Sequence, residues 1–325
     1  MILPRRQFLQ LAGAAAAAQA FPQPASAFDY PTRPVRWIVG TAPGGTQDIV
    51  ARMMGQWLSE RLGQQFVIEN RSGANGNIAT EAVANAPPDG YTLLHFGAAI
   101  AINASLYEKL NFSLIRDISP ISGIMRFPNA LVVNPSVPAK TFPEFIAYAK
   151  ANPGKLTMGS GGNGSMQHVS GELFKMMTGV NLLHVPYRGG APALTDLISG
   201  QVQVIFSPVP ECIEYIKAER VRPIAVTSAT RLELLPGIPT IGEFVSGYES
   251  SGWQGVGAPK STPAEIIVKL NKEINAGLAD PKIKSRLADL SATVLPGSPA
   301  EFSKLVAGEV EKWSKVVKFS GAKAN

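Results

Sequence analysis

The sequence predicts an α/β protein of two lobes, each built on a mixed, mostly parallel sheet flanked by helices, and two observations lead to this prediction. Short apolar runs alternate with helical patterns along the chain, which is typical of βαβ units. Two glycine-rich segments, at 40–48 and 156–168, each lie between a strand-like run and an amphipathic run. Each segment indicates a strand–turn–helix connection, one in each lobe.

The apolar runs and the helical patterns give the predicted elements in chain order. Strands are predicted at 35–40, 65–69, 91–96, 130–134, 155–158, 182–186, 202–206 and 222–227. Helices are predicted near 46–62, 77–86, 141–151, 165–178, 190–199, 208–218, 263–279 and 299–319. The apolar residues of the last helix fall on one face, which predicts that this face packs on the core.

Two extended stretches predict where the chain passes between the lobes. The first, Phe127 to Asn134, follows a long segment that is expected to be irregular, and the second is the glycine-flanked stretch at 251–257. Because parallel sheets bind small molecules at the carboxyl ends of their strands, we expect a ligand between the lobes. The predicted lobes are residues 28–130 together with 254–325, and residues 131–253.

Residues 1–27 have the features of an export signal. Arg5 and Arg6 precede an apolar stretch that is too short to span a bilayer, and Ala25-Ser26-Ala27 is a small-residue cleavage site. The arginine pair indicates the twin-arginine route, with an ordinary secretory signal as the alternative. The mature protein is expected to start near Phe28, and no later stretch is long and apolar enough to span a membrane.

The composition argues against several classes of function. Without Arg5 and Arg6 the chain has 28 Lys and Arg against 24 Asp and Glu, with no basic run, which argues against nucleic acid and slightly favours small anions. The single cysteine, Cys212, is expected to be a small buried residue. No spacing of cysteine and histidine resembles a zinc site, and neither a metal nor a cofactor is predicted.

The first glycine turn, Gly40 to Thr46, has the glycine spacing of a phosphate-binding P-loop but lacks the lysine of that motif. Asp48 lies in the first turn of the following helix, where its carboxylate would repel a triphosphate. We expect Asp48 to order the turn more than to contact a ligand.

The second glycine turn matches Gly-x-Gly-x-x-Gly at Gly159, Gly161 and Gly164. An exported NADP-dependent oxidoreductase therefore remains an alternative, with Arg188 available for a 2′-phosphate. A hydrolase is not expected, because the turn lacks the Gly-x-Ser-x-Gly elbow and a serine and histidine three positions apart on a helix do not form a nucleophile–base pair. His168 is the histidine most expected to face a ligand.

Both glycine turns lack Lys and Arg, over 40–48 and 157–170, and both offer neutral donors beside glycine N–H groups. One carboxylate per turn, held by neutral donors and a helix dipole, fits this chemistry better than a phosphate cluster. A small organic acid is therefore the expected ligand. The side-chain donors of the turns are Thr41, Thr46, Gln47, Ser160, Asn163, Ser165 and Gln167.

Five segments, in order along the mature chain, resemble the Bug family, the extracytoplasmic receptors of tripartite tricarboxylate transporters. They are Pro43-Gly-Gly-Thr-Gln-Asp-Ile-Val-Ala-Arg52, Glu69-Asn-Arg-Ser-Gly-Ala-Asn-Gly-Asn77, Pro87-Pro-Asp-Gly-Tyr-Thr-Leu93, Val185-Pro-Tyr-Arg-Gly-Gly-Ala-Pro-Ala193 and Leu235-Pro-Gly-Ile-Pro-Thr-Ile-Gly-Glu243.

The resemblance implies a two-lobed periplasmic binding protein, type II-like, that closes on a carboxylate. It also implies a periplasmic, non-enzymatic, monomeric receptor whose partner is a membrane permease or a sensor protein. In that family the turns matching 42–48 and 160–168 form the ligand pincer, partly through ordered water. The predicted ligand-binding residues are Thr41, Ala42, Gly44, Gly45, Thr46, Gln47, Asp48, Ala98, Ser160, Gly161, Gly162, Asn163, Gly164, Ser165, His168, Tyr187 and Ser207.

One position departs from the family pattern. Many relatives carry an acidic residue at the end of the strand predicted at 202–206, where it can pair with a ligand amino group, but this chain has Ser207. An amino-acid ligand is therefore less expected than a plain mono- or dicarboxylic acid. The small Ala98 leaves room for a bulkier ligand body.

Overall fold

The computed structural model describes residues 29–324, and the chain from Arg33 onward forms one compact unit. The predicted export signal, its cleavage site and Phe28 lie outside the described residues. The strands are β1 (Val35–Val39), β2 (Phe66–Asn70), β3 (Thr92–Gly97), β4 (Ile118–Val133), β5 (Thr157–Ser160), β6 (Leu183–Pro186), β7 (Val204–Pro208), β8 (Arg222–Val226), β9 (Ser251–Pro259) and β10 (Thr293–Val294).

The helices follow the strands in the alternation that the sequence predicts. They are α1 (Thr46–Leu62), α2 (Asn77–Ala84), α3 (Ala98–Leu106), α4 (Leu114–Asp117), α5 (Phe142–Ala151), α6 (Met166–Thr178), α7 (Gly190–Ser199), α8 (Val209–Lys217), α9 (Ala264–Ala279), α10 (Pro281–Asp289) and α11 (Pro299–Ser320). Within residues 29–324, no helix combines the length and the apolarity needed to cross a membrane.

The long strand β4 joins two halves of the sheet. Its first part, Ile118 to Pro128, pairs with β9, and its last part, Asn129 to Val133, pairs with β7 and β8. One half of the sheet therefore has the order β2-β1-β3-β9-β4, and the other has the order β4-β7-β5-β6. Near Thr227 the chain returns from the second half of the sheet to the first. There Thr227 N donates to Asn129 O, and Ser250 N donates to Thr227 O.

Each half of the sheet is covered by helices that bury apolar side chains. A large cluster around Phe96, Phe174 and Trp313 joins the strands to α3, α6 and α11. A second cluster lies between the second half of the sheet and α7 and α8, and it contains Cys212, which is buried as predicted. The apolar face of α11 is buried as well, with Phe302, Val306, Trp313 and Val317 at 5% exposure or less.

The prediction of an irregular segment before residue 127 is wrong. That segment contains α3, α4 and the first half of β4. The stretch at 251–257 is part of a buried strand, β9, which pairs with β3 on one side and with β4 on the other. The short helix α10 and the two-residue strand β10 were not predicted.

Gly97, at the end of β3, allows β3 and β9 to approach closely. A Cβ atom at this position would lie 2.4 Å from the backbone oxygen of Trp253. We expect Gly97→Ala to lower the free energy of unfolding by about 2 kcal/mol, because a backbone clash forces the strands apart. Urea denaturation measures the change. Gly308→Ala is the control, because no atom lies within 4 Å of the Cβ position of Gly308 on α11. Alanine also favours a helix over glycine by up to about 1 kcal/mol, so this variant should not be destabilised. Equal effects of the two variants would contradict the prediction.

Candidate functional site

The carboxyl ends of the strands in the two halves of the sheet point toward the middle of β4. β1 and β3 run in the direction of β4, because β3 and β4 are both antiparallel to β9, whereas β5 and β7 run against β4. β3 ends opposite Gln254, which pairs with Met125, and β7 ends opposite Asn129. Met125 and Asn129 are separated by about 13 Å along β4. The turns that follow the strands therefore face a common region.

The first glycine turn leaves the amino end of α1 open. Gly44 has φ +82°, a conformation that glycine adopts without strain, and Gly45 is the residue that precedes the helix. Among the described residues, no side chain caps this helix. The N–H groups of its first turn therefore have no intrahelical acceptor, and together with the helix dipole they form a site for an anion.

Asp48 holds the first turn in place. Its carboxylate accepts hydrogen bonds from Gly44 N at 2.9 Å, from Asn70 Nδ2 at 2.9 Å and from Arg52 Nε at 2.9 Å. The Arg52 guanidinium, helped by the N–H groups of Gly44 and Asn70, lowers the pKa of Asp48 to about 2. Asn70 also donates to Thr41 O, so strand β2 fixes both ends of the turn. Asp48 is therefore a loop-ordering group, and Arg52 compensates its charge.

The second glycine turn is ordered by its own side chains. Ser160 Oγ accepts from Gly162 N, and Ser165 Oγ caps α6 by accepting from His168 N at 3.2 Å. His168 Nδ1 accepts from Gly164 N at 3.1 Å, so the imidazole also fixes the turn. The capping uses part of the anion-binding capacity of α6 and leaves the N–H groups of its first two residues without intrahelical acceptors.

His168 and His184 stack on each other behind the second turn. Their ring centroids are 3.9 Å apart with an interplanar angle of 11°, and Ser160 Oγ lies 2.6 Å from His184 Nε2. Burial, with smaller contributions from His184 and Lys175, lowers the pKa of His168 to about 3. Burial and Lys175 lower the pKa of His184 to about 4. Both rings are therefore neutral near pH 7.

A small cavity of about 60 Å³ lies beneath the first turn. Thr41 and Gln47, both predicted site residues, line it together with Asn75 and His95. Asn75 has φ +53°, and His95 Nε2 lies 2.9 Å from Gln254 Oε1. Sequence reasoning missed Asn75 and His95 as parts of this region; the segment Ser72–Asn77, which carries glycines at 73 and 76, was the available signal.

The other predicted residues occupy different surroundings. Ala98 begins α3 and Ser207 is the last residue but one of β7, and both are buried, at 3% and 0% exposure. Tyr187 donates from its hydroxyl to Asp196 Oδ2 at 2.7 Å, and burial together with Asp196 raises the pKa of Tyr187 to about 12. Asn163 donates to the backbone oxygen of Lys323, which brings the second turn beside the carboxyl-terminal residues.

Two further polar side chains lie beside the second turn. Gln167, which the sequence offered as a donor, bonds through Nε2 to Glu211 Oε2 at 3.2 Å. Glu211 was not predicted, because no motif marks it and only the fold brings the start of α8 to the start of α6. Gly161 lies against Gln167: a Cβ on Gly161 would be 3.2 Å from Gln167 Oε1.

Two α/β lobes whose glycine turns face each other define a class of proteins, the two-lobed periplasmic binding proteins, in which the ligand lies between the lobes. Comparison with known proteins agrees with this architecture. The chain belongs to the TctC family: the family model described as the tripartite tricarboxylate transporter family receptor matches residues 50–321. The predicted family and the predicted fold class are both confirmed.

Named relatives cover nearly the whole chain. Protein BugT of Bordetella pertussis is 36% identical over 321 residues, which are 97% of this chain and 96% of that protein. The structure described as R. palustris Rpa4515 with adipate is 40% identical with a TM-score of 0.76, over 91% of this chain and 99% of that one. MatC (Rpa3494) from Rhodopseudomonas palustris, with bound malate, is 30% identical with a TM-score of 0.72, over 89% and 100%. The family consists of periplasmic substrate-binding receptors.

Proposed function

We propose that this protein is a periplasmic receptor that captures a small carboxylic acid between its two lobes. The observation that carries the proposal is the open amino end of α1, held by Asp48 and facing the second glycine turn across the middle of β4. A carboxylate placed there gains several N–H donors and the favourable end of the helix dipole. Adipate and malate in two relatives support the carboxylate class.

The proposed contacts are the predicted residues of the two turns, with glycines that let the backbone approach the ligand. We assign residues 28–130 and 254–325 to one lobe and residues 131–253 to the other, in keeping with the change of strand partners along β4 at Pro128 and Asn129. Hinge closure over the ligand would then present the receptor to a membrane permease or to a sensor protein. Export through the signal at 1–27 would place it in the periplasm.

The oxidoreductase alternative has less support. A dinucleotide would need the amino end of α6 for its pyrophosphate, but Ser165 and His168 already accept two of the N–H groups there. Glu211 adds a carboxylate beside the same turn, which would repel phosphate. The carboxylate receptor is therefore the function that the geometry supports best.

Blocking the amino end of α1 tests the proposal. Gly45 has φ −73°, so a larger residue fits its backbone, and it is only partly buried. We expect Gly45→Trp to lose most of the thermal stabilisation that carboxylic acids give the wild-type protein, because the indole covers the N–H groups of the first turn. Thermal-shift and calorimetric titrations with a panel of mono- and dicarboxylates, adipate and malate included, measure the loss.

Gly308→Trp is the matched control, since it adds the same side chain at an exposed position of α11. This variant should keep the ligand response of the wild-type protein. If no acid of the panel stabilised the wild type while NADP(H) did, the receptor assignment would be abandoned.

A further inference from the structure

Three helix starts meet beside the second glycine turn. α6, α7 and α8 follow the neighbouring strands β5, β6 and β7, whose carboxyl ends lie at one edge of the sheet. Gln167 lies in the first turn of α6, Gly190 begins α7, and Glu211 lies in the first turn of α8. A Cβ on Gly190 would lie 2.6 Å from Glu211 Oε2 and 2.8 Å from Gln167 Nε2, so the three residues are in contact.

The Gln167–Glu211 pair has more acceptors than donors. In the described part of the chain one hydrogen bond joins the two side chains, from Gln167 Nε2 to Glu211 Oε2, and among residues 29–324 no lysine, arginine or histidine lies within ion-pair distance of Glu211. Gln167 is 5% exposed, and its Oε1 atom is buried with no hydrogen-bond partner in the described part of the chain. A buried acceptor without a donor costs about 1–3 kcal/mol, so the pair is incomplete as it stands.

The surroundings of Glu211 suit a ligand contact. The residue is exposed as a whole, yet protein packed around the carboxyl group desolvates it and raises its pKa. A carboxylate that is reachable from solvent but poorly solvated gains more from a bound cation than one on an open surface. It would equally repel a second carboxylate brought to the same place.

We propose that Glu211, with Gln167, binds an ammonium group of the ligand, and that the ligand is a small amino carboxylate. This inference rests on the proposed function: the carboxylate end is held by the first turn and α1, and the ammonium end by the start of α8. The positive group supplies the donor that the Glu211 carboxylate lacks, while Gln167 Nε2 holds that carboxylate in place. Glu211, in the first turn of α8 and four residues after Ser207, thus supplies the carboxylate that Ser207 lacks.

Matched ligands of equal length test the inference. The pairs are 6-aminohexanoate with adipate, 4-aminobutyrate with succinate, and aspartate with malate, each titrated calorimetrically into the full mature protein. In at least one pair we expect the amino acid to bind at least about tenfold more tightly than its partner, which is the size of one charge-assisted hydrogen bond. Glu211→Gln should reduce that ratio about tenfold or more.

Glu214→Gln is the control variant, because Glu214 lies on the same helix, is exposed and pairs with Lys217. It should keep the wild-type ratio. The inference fails, and the carboxylate receptor stands, if the partner acid without the ammonium group binds as well in every pair or if Glu211→Gln leaves the ratio unchanged. If no acid of either kind binds the wild type, both the inference and the proposed function fail.

Discussion

Replacing Asp48 with asparagine is expected to lower the free energy of unfolding by about 3 kcal/mol and to weaken carboxylate binding at least about tenfold. The carboxylate now accepts from Gly44 N, Asn70 Nδ2 and Arg52 Nε. An asparagine amide keeps one acceptor oxygen and turns an NH₂ group toward one of these donors, so at least one bond becomes a donor–donor contact. The 96% buried side chain has no water to compensate that loss.

Carboxylate binding is expected to weaken in Asp48→Asn because the first glycine turn loses its order in that variant. Gly44 and Gly45 must hold their conformation for the amino end of α1 to meet a carboxylate, and ordering the turn on binding would consume part of the binding free energy. Removing the Asp48 charge also removes a repulsion, but Arg52 already compensates that charge at 2.9 Å, so we expect the gain to be the smaller effect.

Urea denaturation and calorimetric titration of the best-binding carboxylate measure the two effects. Glu60→Gln is the control, because Glu60 lies on the same helix, is exposed and bonds only to Gln56 in the described structure. Tighter carboxylate binding by Asp48→Asn would mean that Asp48 acts mainly as a repelling charge, contrary to the loop-ordering role.

Elements with local signals could be predicted from the sequence. Helix α5 starts with a capping box formed by Thr141 and Glu144, and α11 starts with one formed by Ser298 and Glu301, so their boundaries are encoded within four residues. The two glycine turns were equally readable, because glycines at positive φ angles and a following amphipathic run mark a strand–turn–helix connection. Asp48 was assigned its ordering role from its place in the first turn alone.

Elements that depend on tertiary pairing could not be predicted in the same way. Helix α3 follows Gly97 directly, is apolar on nearly all sides and has no side-chain cap, so its sequence does not separate a buried helix from a buried strand. Strand β9 contains glycines at 252, 255 and 257 that suggest a loop, but Phe127, Phe302 and Ile118 occupy the space that side chains would need there. Glu211 meets Gln167 only because β5 and β7 are neighbours.

Acidification from pH 7 to pH 5 is expected to lower the free energy of unfolding by several kcal/mol. His95, His168 and His184 have folded-state pKa values of about 4, 3 and 4, below the value of 6.5 expected in the unfolded chain. The unfolded chain therefore binds more protons below pH 6.5, and stability is lost as the pH falls from 6.5 toward 4. At pH 5 each histidine contributes a loss of about 2 kcal/mol. Asp48 stays ionised throughout, because its pKa is about 2.

Protonation of the stacked pair in the folded protein is expected to affect the ligand site as well, but at a lower pH than the loss of stability. A proton on His168 Nδ1 removes the acceptor for Gly164 N, and a charge on either ring faces the other ring and Lys175. Among residues 29–324, Glu172 is the only anion in an ion pair with either ring, with its Oε1 3.7 Å from His168 Nε2. Because both folded-state pKa values lie at about 4 or below, we expect carboxylate affinity to stay nearly constant from pH 7.5 to about pH 5, apart from protonation of the ligand itself, and to fall only as the pH approaches 4. Urea denaturation and calorimetric titration across pH 7.5 to 4.5 measure both quantities. His184→Gln removes one of the three titrating rings and keeps a polar partner for Ser160. It should therefore reduce the pH dependence of the unfolding free energy by about one third. A wild-type free energy of unfolding that is constant from pH 7 to 5 would contradict the prediction, because it would show that these rings are protonated in the folded protein.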